Sequence, residues 1–513
     1  MASTPLTTRP TDVDVAVIGT GFSGLGMAIN LKQSGRDDFV VLEAADDLGG
    51  TWRDNHYPGC GCDVPSHLYS FSFEPNPDWS RQFAPQAEIW AYLRHCAEKY
   101  EVTGHIRYNN RVESAEWDEA GGFWHVRTSR GYWRAKSLVS GIGGLSRPSY
   151  PTIPGIENFR GRTFHSQQWD HDYDLAGKRV AVIGTGASAI QFVPQIAADV
   201  GELHLFQRTP PWVVPKPDRA VTRLEQALFK RLPSAQLAVR NALYWQLESR
   251  ALAFVVQPRL MKLMERQARR HLRKQVPDRD LRKRLTPDYT LGCKRVLISD
   301  DYYPALTRDN VNLVTDGIAE VREHSIVTAD GNEREVDAII YGTGFAATDP
   351  IGPMKITGRN GADLRETFAE TGTEAFLGTT VSGFPNLFLL TGPNTGLGHN
   401  SMVYMIESQI ALVMDTLKAI DYEGLAAVEV KRASQDAYNH WVHEHTKEAV
   451  WNTGGCKSWY LDANGKNVTL WPGFTWDFRR RTRRFPARHF ELLRAEDLAP
   501  AVVSAEIEPA NAA

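Results

Sequence analysis

Cysteine is scarce, with five residues (Cys60, Cys62, Cys96, Cys293 and Cys456) in 513. The number is odd, and Cys60 and Cys62 stand too close for an ordinary structural bridge, so a reducing compartment is the expectation. Long apolar runs are lacking as well. None reaches the roughly 18 residues that a spanning helix needs, and the first residues show no basic stretch leading into an apolar one, so the chain reads as cytoplasmic, without a membrane span. Neither charge sign is in excess: 58 Lys+Arg stand against 61 Asp+Glu, a net of −3, and without a global basic field nucleic acid is not an expected partner. Short-period repeats are absent. The rest is ordinary globular composition, 42% hydrophobic and 23% charged, in a chain too long for one core, since cores stop growing near roughly 250–300 residues. Several domains are therefore expected; monomer and homodimer are both compatible with them, and no metal ion is expected.

One pattern occurs twice at long separation. VDVAVIGTGFSGLG begins at Val13 and RVAVIGTGASAI at Arg179. Each is an apolar β-branched run, a Gly-x-Gly-x-x-Gly/Ala turn and a stretch with helical apolar spacing, the context in which the glycine pattern signals a dinucleotide site. The first glycine permits the turn, the second admits the pyrophosphate to the backbone, and the third position lets helix and strand pack closely. These are Gly19, Gly21 and Gly24 in the first copy, with Phe22 and Ser23 between. In the second they are Gly184, Gly186 and Ala189, with Ala187 and Ser188 between.

The residue at the tip of the next strand separates the two sites, because it meets the adenosine ribose. Glu43 follows Gly19 by 24 residues, and Arg208, beside Thr209, follows Gly184 by the same 24. A carboxylate accepts from ribose hydroxyls and repels a 2′-phosphate, whereas a guanidinium forks onto that phosphate. FAD is assigned to the first site and NADPH to the second. The fold class is thus α/β with two Rossmann-like dinucleotide-binding domains. VDAIIYGTGF, from Val336, and SLVSGIGGLSRP, from Ser137, read as strands returning to these sheets.

From Arg219 to Arg284 the composition turns to Leu, Ala, Arg and Lys, broken at Pro233, Pro258 and Pro277, which reads as a helical insertion in the NADPH domain. Its cationic end, through Arg266, Arg269, Arg270, Arg273, Lys274, Arg279, Arg282, Lys283 and Arg284, reads as a solvated face, with an acidic partner or a membrane surface as the alternative. Leu260, Leu263 and Met264 are expected to face inward. Met402, Ile406, Ile410, Val413, Leu417 and Ile420 step by three or four and predict a core helix. The expected division is an FAD domain from 1–148 and 346–513, an NADPH domain from 149–216 and 291–345, and the insertion at 217–290.

Just before the second glycine motif stands FRGRTFHSQQWD, with Phe159, Gly161, His165, Trp169 and Asp170 as anchors. This string resembles the Phe-x-Gly-x-x-x-His-x-x-x-Trp-Pro/Asp fingerprint of type I Baeyer-Villiger monooxygenases, and the likeness covers nearly the whole chain. GGTWRDNHYPGCGCDVPS, from Gly49, looks like the family's flavin-contacting loop, and KRVLISDDYYPAL, from Lys294, like the segment with its catalytic arginine. TGPNTGLGHNS, from Thr391, resembles the turn that meets the isoalloxazine.

The resemblance implies FAD and NADPH as cofactors, oxygen as co-substrate, and conversion of ketones to esters or lactones through a C4a-peroxyflavin, with sulfoxidation as a side activity. It implies Arg295 and Asp63 as catalytic residues, the first a permanent cation and the second its orienting partner, and Lys294 at the NADP phosphate. It further places cofactor contacts at Gly50, Thr51, Trp52, Asp63, Val64, Tyr69, Val112, Arg295 and Asn394. Many relatives carry an arginine where this chain has Gly61. Cys60 and Cys62 read as small packing residues rather than a redox pair. The alternatives are an N- or S-oxygenating flavin-containing monooxygenase, disfavoured by Trp169-Asp170, and a nucleotide-binding redox sensor, disfavoured by Arg295 with Asp63. The Ala-, Glu- and Pro-rich C-terminus matches nothing and is expected to be loose.

Overall fold

The computed structural model describes residues 10–498 except 457, 459, 463 and 464, so the expectation for the C-terminal tail lies outside the described residues. Two sheets organise the chain. In the first, the strand Thr11–Ile18 lies between Phe39–Leu42 and Gly131–Ser140, parallel to both. Its run Val15, Ala16, Val17 is almost wholly buried, as a β-branched strand covered on both faces must be. Phe123–Thr128 and Val112–Asp118 continue this sheet antiparallel, and Lys355–Thr357 and Leu387–Leu389 join it in parallel from late in the chain.

The second sheet has five strands, all parallel, in the order Val311–Val314, Glu202–Phe206, Arg179–Ile183, Ala338–Tyr341, Arg162–His165. The two stretches read as returning strands do return: Ser137–Ser140 pairs with the first strand of its sheet, and Ala338–Tyr341 lies between Arg179–Ile183 and Arg162–His165 in the second.

Both Gly-rich turns need their glycines. A Cβ on Gly24 would stand 1.9 Å from the Gly19 carbonyl oxygen, and Gly184, at φ +108°, would put one 2.4 Å from the Gly342 oxygen. The helices that follow, Phe22–Gln33 and Ala189–Ile196, therefore start hard against their strands.

The insertion is helical, as its composition predicts: Arg223–Arg231, Pro233–Glu248, Met261–Gln275 and Arg279–Arg284. Thr222 and Glu225 form a reciprocal capping box at its start. Its apolar phase differs from expectation. Leu260 and Leu263 face solvent, at 43% and 61% exposure, and Met264 is half-buried. Met261, Ala268 and Leu272 take the core side instead, a register pinned by Met261 among Phe254, Val450 and Trp451 and by His271, whose Nε2 bonds the Ser299 carbonyl at 2.9 Å. The stretch Met402–Glu423 is one helix, with Ile406, Ile410, Val413 and Leu417 buried and Met402 and Ile420 partly so.

The cysteine count misleads in one respect. Cys293 and Cys456, 163 residues apart, are joined by a disulfide. Cys60, Cys62 and Cys96 are free and buried. Burial holds the Cys60 and Cys96 thiols up at about 12 and pushes Cys62 up as well, so these three are inert packing groups rather than a redox pair.

Candidate active site

The first cofactor turn is open to an anion. Gly21 caps the helix Phe22–Gln33 without a side-chain hydrogen bond, which leaves the first N–H groups of that helix facing outward. Phe22 and Ser23 are buried beneath it, and Gly50 approaches from the next loop, where an added Cβ would sit 3.0 Å from the Gly21 Cα. Thr51 and Trp52 open the short helix after Gly50, and the Trp52 indole donates to the Tyr69 hydroxyl at 3.2 Å. Val64 is buried behind this loop.

Glu43 is buried at the tip of its strand. Its Oε2 accepts from the Thr20 amide at 3.0 Å and the Thr20 hydroxyl at 2.6 Å, and its Oε1 accepts from the Ala45 amide at 2.9 Å. Arg53 lies 3.1 Å from Oε1. Glu43 thus braces the Gly-rich turn from the tip of its strand. Val112, buried, begins the strand two residues after Asn110, whose amide donates to the Glu43 carbonyl at 2.8 Å.

At the second turn, Gly186, Ala187 and Ser188 lie at the surface ahead of the helix that Ala189 opens. Arg208 is exposed just past the strand Glu202–Phe206, and the Thr209 carbonyl accepts from Thr185 at 3.3 Å. Lys294 shares the locality of Arg208. Burial and then the neighbouring guanidinium lower its ammonium below the ordinary lysine value. Two cations set close together are a build suited to a doubly charged phosphate.

The centre of the site is an ion pair across 232 residues of chain. Arg295 Nε and NH2 donate to Asp63 Oδ2 at 3.0 and 2.5 Å. Asp63 belongs to the loop of the first sheet unit, whereas Arg295 follows the helical insertion. The nearby carboxylate raises the Arg295 guanidinium further above its already high value, so it stays charged at every working pH. Both donors fall on one oxygen, and 39% of the Arg295 side chain remains exposed, which leaves its NH1 available.

The fingerprint residues knit rather than react. His165 is fully buried: its Nδ1 accepts from the Gln167 amide at 3.1 Å and its Nε2 donates to the Gly344 carbonyl at 3.0 Å. Burial keeps it neutral by lowering its pKa. Its ring packs edge-on against Tyr150 and Phe345, tying the linker to the turn after Ala338–Tyr341. Trp169 packs on Phe164 and Phe192, and Asp170 accepts from Arg162 at 2.5 Å. A Cβ on Gly161 would stand 2.4 Å from the Asp337 carbonyl oxygen and as close to the Phe159 ring.

The flavin-binding monooxygenase-like family model matches residues 12–354. A Baeyer-Villiger monooxygenase of Pseudomonas aeruginosa is 55% identical over 96% of this chain and 94% of its own. Another of Streptomyces coelicolor is 50% identical over 97% and 96%. Among solved structures, an oxidised steroid monooxygenase bound to NADP aligns at a TM-score of 0.85 and 31% identity, covering 94% of this chain and all of that one. The chain belongs to the type I Baeyer-Villiger monooxygenases.

In this monooxygenase, the residues near the predicted isoalloxazine turn fit a polar group that the protein alone does not satisfy. Asn394, at φ +54°, donates its amide to the Asn467 and Leu470 carbonyls, while its Oδ1 is buried without a partner. His399 is buried with its Nε2 3.6 Å from the Glu248 carboxylate, the Trp451 Nε1 has no hydrogen-bond partner among the described residues, and both rings flank Phe254. Buried polar atoms are generally bonded, so the Asn394 Oδ1 and the Trp451 Nε1 are open to a ligand's hydrogen bonds.

Three residues of the site escape a reading of motifs. Gln191 hydrogen-bonds Tyr57 and Gly61 in the Asp63 loop. Tyr460 is buried beside Arg295 and Asp63, its phenol held up at about 12 by burial. His399 lies inside a quoted motif, yet only its buried contact with Glu248 marks it out. A glutamine in the first turn after the second glycine motif was the one usable signal.

Proposed function

We propose that this Baeyer-Villiger monooxygenase binds FAD at the Gly19–Gly24 turn and NADPH at the Gly184–Ala189 turn, and oxygenates ketones to esters or lactones beside Arg295. The observation that carries this reading is the Asp63–Arg295 pair, which joins the two nucleotide units at one charged point. Gly19, Gly21, Gly24 and Glu43 would hold the FAD, with Asn394 at the far end. Arg208 and Lys294 would hold the 2′-phosphate. The flavin, when bound, supplies the activated oxygen, with electrons from the nicotinamide.

The chain's own work is electrostatic. Arg295 stays cationic where a lysine would lose its proton, and its free NH1 meets negative charge developing on oxygen. Asp63 fixes the guanidinium plane through Oδ2 and keeps Oδ1 for a further donor. Tyr460 and Cys62 are buried beside the pair. A donor of this kind typically contributes about 3–4 kcal/mol to the transition state.

A panel of linear, cyclic and aryl ketones, incubated with NADPH and labelled oxygen, tests the reading. The expected product is an ester or lactone carrying one labelled atom. Failure of every ketone alongside ready oxidation of amines or sulfides would overturn it in favour of an N- or S-oxygenating enzyme.

A further inference from the structure

The helix Pro233–Glu248 is inverted in polarity. The side that packs on the protein carries Gln236, Arg240, Tyr244 and Glu248 beside Leu247, all buried. Each polar one is partnered there: Gln236 donates to the Asn76 carbonyl at 2.6 Å, Arg240 to the His67 carbonyl at 2.7 Å, Tyr244 bonds Thr475 at 3.1 Å, and Glu248 accepts from the Thr475 amide at 2.6 Å. The side facing solvent carries Leu237, Val239 and Trp245, the last 60% exposed. Surface helices normally show the opposite arrangement.

Exposed apolar side chains also stand on the elements before and after this helix. Leu224, Leu228 and Leu232 lie exposed on the preceding turn and helix, and Leu252, Val256 and Leu263 on the following ones. Among the described residues, ten of the sixteen large exposed hydrophobic side chains fall between Leu224 and Leu263. Single exposed leucines need no explanation, but such a concentration marks a contact surface.

Charge decides which contact. Between Arg223 and Arg284 stand sixteen Lys and Arg against five Asp and Glu, in a chain with a net charge of −3. On the helix Met261–Gln275, Leu263 shares one exposed face with Arg266, Arg270 and Lys274, at spacings of three and four. None of these three cations pairs with a carboxylate among the described residues. A two-fold contact with a second copy would press this positive face against itself. Exposed leucine, valine and tryptophan in a segment that also carries unpaired cations instead match the interface of an anionic bilayer, where apolar side chains enter the headgroup boundary and cations meet lipid phosphates.

We propose that the helical insertion docks this enzyme on anionic lipid surfaces, with Leu237 and Trp245 entering the headgroup layer and Arg266, Arg270 and Lys274 meeting its phosphates. The binding is peripheral and reversible, since no helix of the described residues is long and apolar enough to cross a membrane.

The test is co-sedimentation of the FAD-loaded enzyme with vesicles of phosphatidylcholine alone or with one third phosphatidylglycerol. Wild type is expected to pellet with the anionic vesicles at low salt and to be released as salt screens the charges. Leu237→Ser with Trp245→Ser, and separately Arg266→Glu with Arg270→Glu and Lys274→Glu, should each weaken the binding on the order of tenfold. Both variants should keep wild-type melting and turnover of a water-soluble ketone, which separates lost docking from lost folding. The proposal is overturned if wild type stays in the supernatant with both vesicle types, or if the serine pair leaves binding unchanged. It is equally overturned if light scattering shows a dimer that the serine pair dissociates, which would assign the face to a second copy.

Discussion

Gln191 Nε2 donates to the Gly61 carbonyl at 2.9 Å, two residues before Asp63, and its Oε1 accepts from the Tyr57 hydroxyl at 2.8 Å. Gln191 stands in the first turn of the helix Ala189–Ile196, at the candidate NADPH site. The loop docks closely there, because a Cβ on Gly59 would lie 2.6 Å from the Gln191 carbonyl oxygen. One side chain thus ties the position of Asp63 to the second Gly-rich turn.

Gln191→Leu removes these hydrogen bonds and the one that Oε1 accepts from the Gly61 amide at 3.4 Å, and leaves the Gly61 carbonyl unsatisfied at about 1–3 kcal/mol. The expected outcome is normal FAD content with several-fold less ester formed per NADPH consumed, hydrogen peroxide making up the difference. The ratio of product to NADPH is the measurement. A wild-type ratio would reduce Gln191 to a packing residue.

Arg295→Ala should retain FAD, which is held by the first Gly-rich turn and Glu43, remote from this arginine. NADPH oxidation should continue, and ester formation should fall by at least about 100-fold, in line with about 3–4 kcal/mol for a lost oxyanion donor. Arg295→Lys should recover little, since an ammonium lacks the planar fork that meets Asp63. Ketone oxygenation within tenfold of wild type in Arg295→Ala would mean that another cation does this work.

Arg208 and Lys294 give a cofactor preference and a pH signature. Arg208→Ala should raise the KM for NADPH about 10- to 100-fold, matching about 1.5–3 kcal/mol for a charge-assisted contact, and leave NADH use unchanged. The Lys294 ammonium is lowered by burial and then by Arg208, so it is lost earlier than an ordinary lysine as pH rises. The KM for NADPH should therefore climb with alkaline pH. In Arg208→Ala the climb should move to higher pH, because the repelling neighbour is gone. A KM that is flat with pH in both proteins would remove Lys294 from the phosphate site.

The parts of this molecule legible in its sequence are those set by local spacing. The Gly-rich turns, the strand-tip pair Glu43 and Arg208, and the helix Met402–Glu423 follow from periods of two and 3.6 and from fixed offsets. Asp63 and Arg295 were found through resemblance, and the fold brings them together. Gln191, Tyr460 and His399 were not legible, because their meaning depends on which distant loop each one meets. Leu260 and Leu263 were placed inward on the premise that apolar side chains seek the core, and the insertion breaks that premise along the whole outward face from Leu224 to Leu263. Cys293 and Cys456 were missed for a related reason, since a pairing over 163 residues leaves no local trace.

His67 makes stability pH-dependent where the insertion grips the first domain. Burial holds its ring down at about 4; Arg240 and Arg219 push the same way and Glu225 opposes them. Its Nδ1 lies 3.2 Å from Gln236 Nε2. As pH falls from about 6.5 toward that value, the unfolded chain takes up a proton that the folded chain refuses, so stability drops by up to about 1.4 kcal/mol per pH unit. The histidine must be neutral for the contact to hold. His67→Gln should flatten the decline of melting temperature between neutral and mildly acid pH relative to wild type, and identical slopes would assign the decline to other groups.

The disulfide anchors the segment that carries Arg295. Cys293 precedes Arg295 by two residues and Cys456 precedes Tyr460 by four, so the bond between them closes the chain around the site. In the chain-entropy picture, closing a loop of this length is worth roughly 5 kcal/mol, less any strain. Cys456→Ser should therefore lower the melting temperature by several degrees, the shift per kcal/mol being small in so long a chain. It should also lower the ester yield per NADPH, because the segment carrying Arg295 loses its tether beside Tyr460. Thiol counting provides the direct check. In denaturant without reductant three of the five cysteines should react, namely Cys60, Cys62 and Cys96, and all five after reduction. Five reactive thiols before reduction would show that the bond does not form, and the tether argument for Arg295 would fall with it.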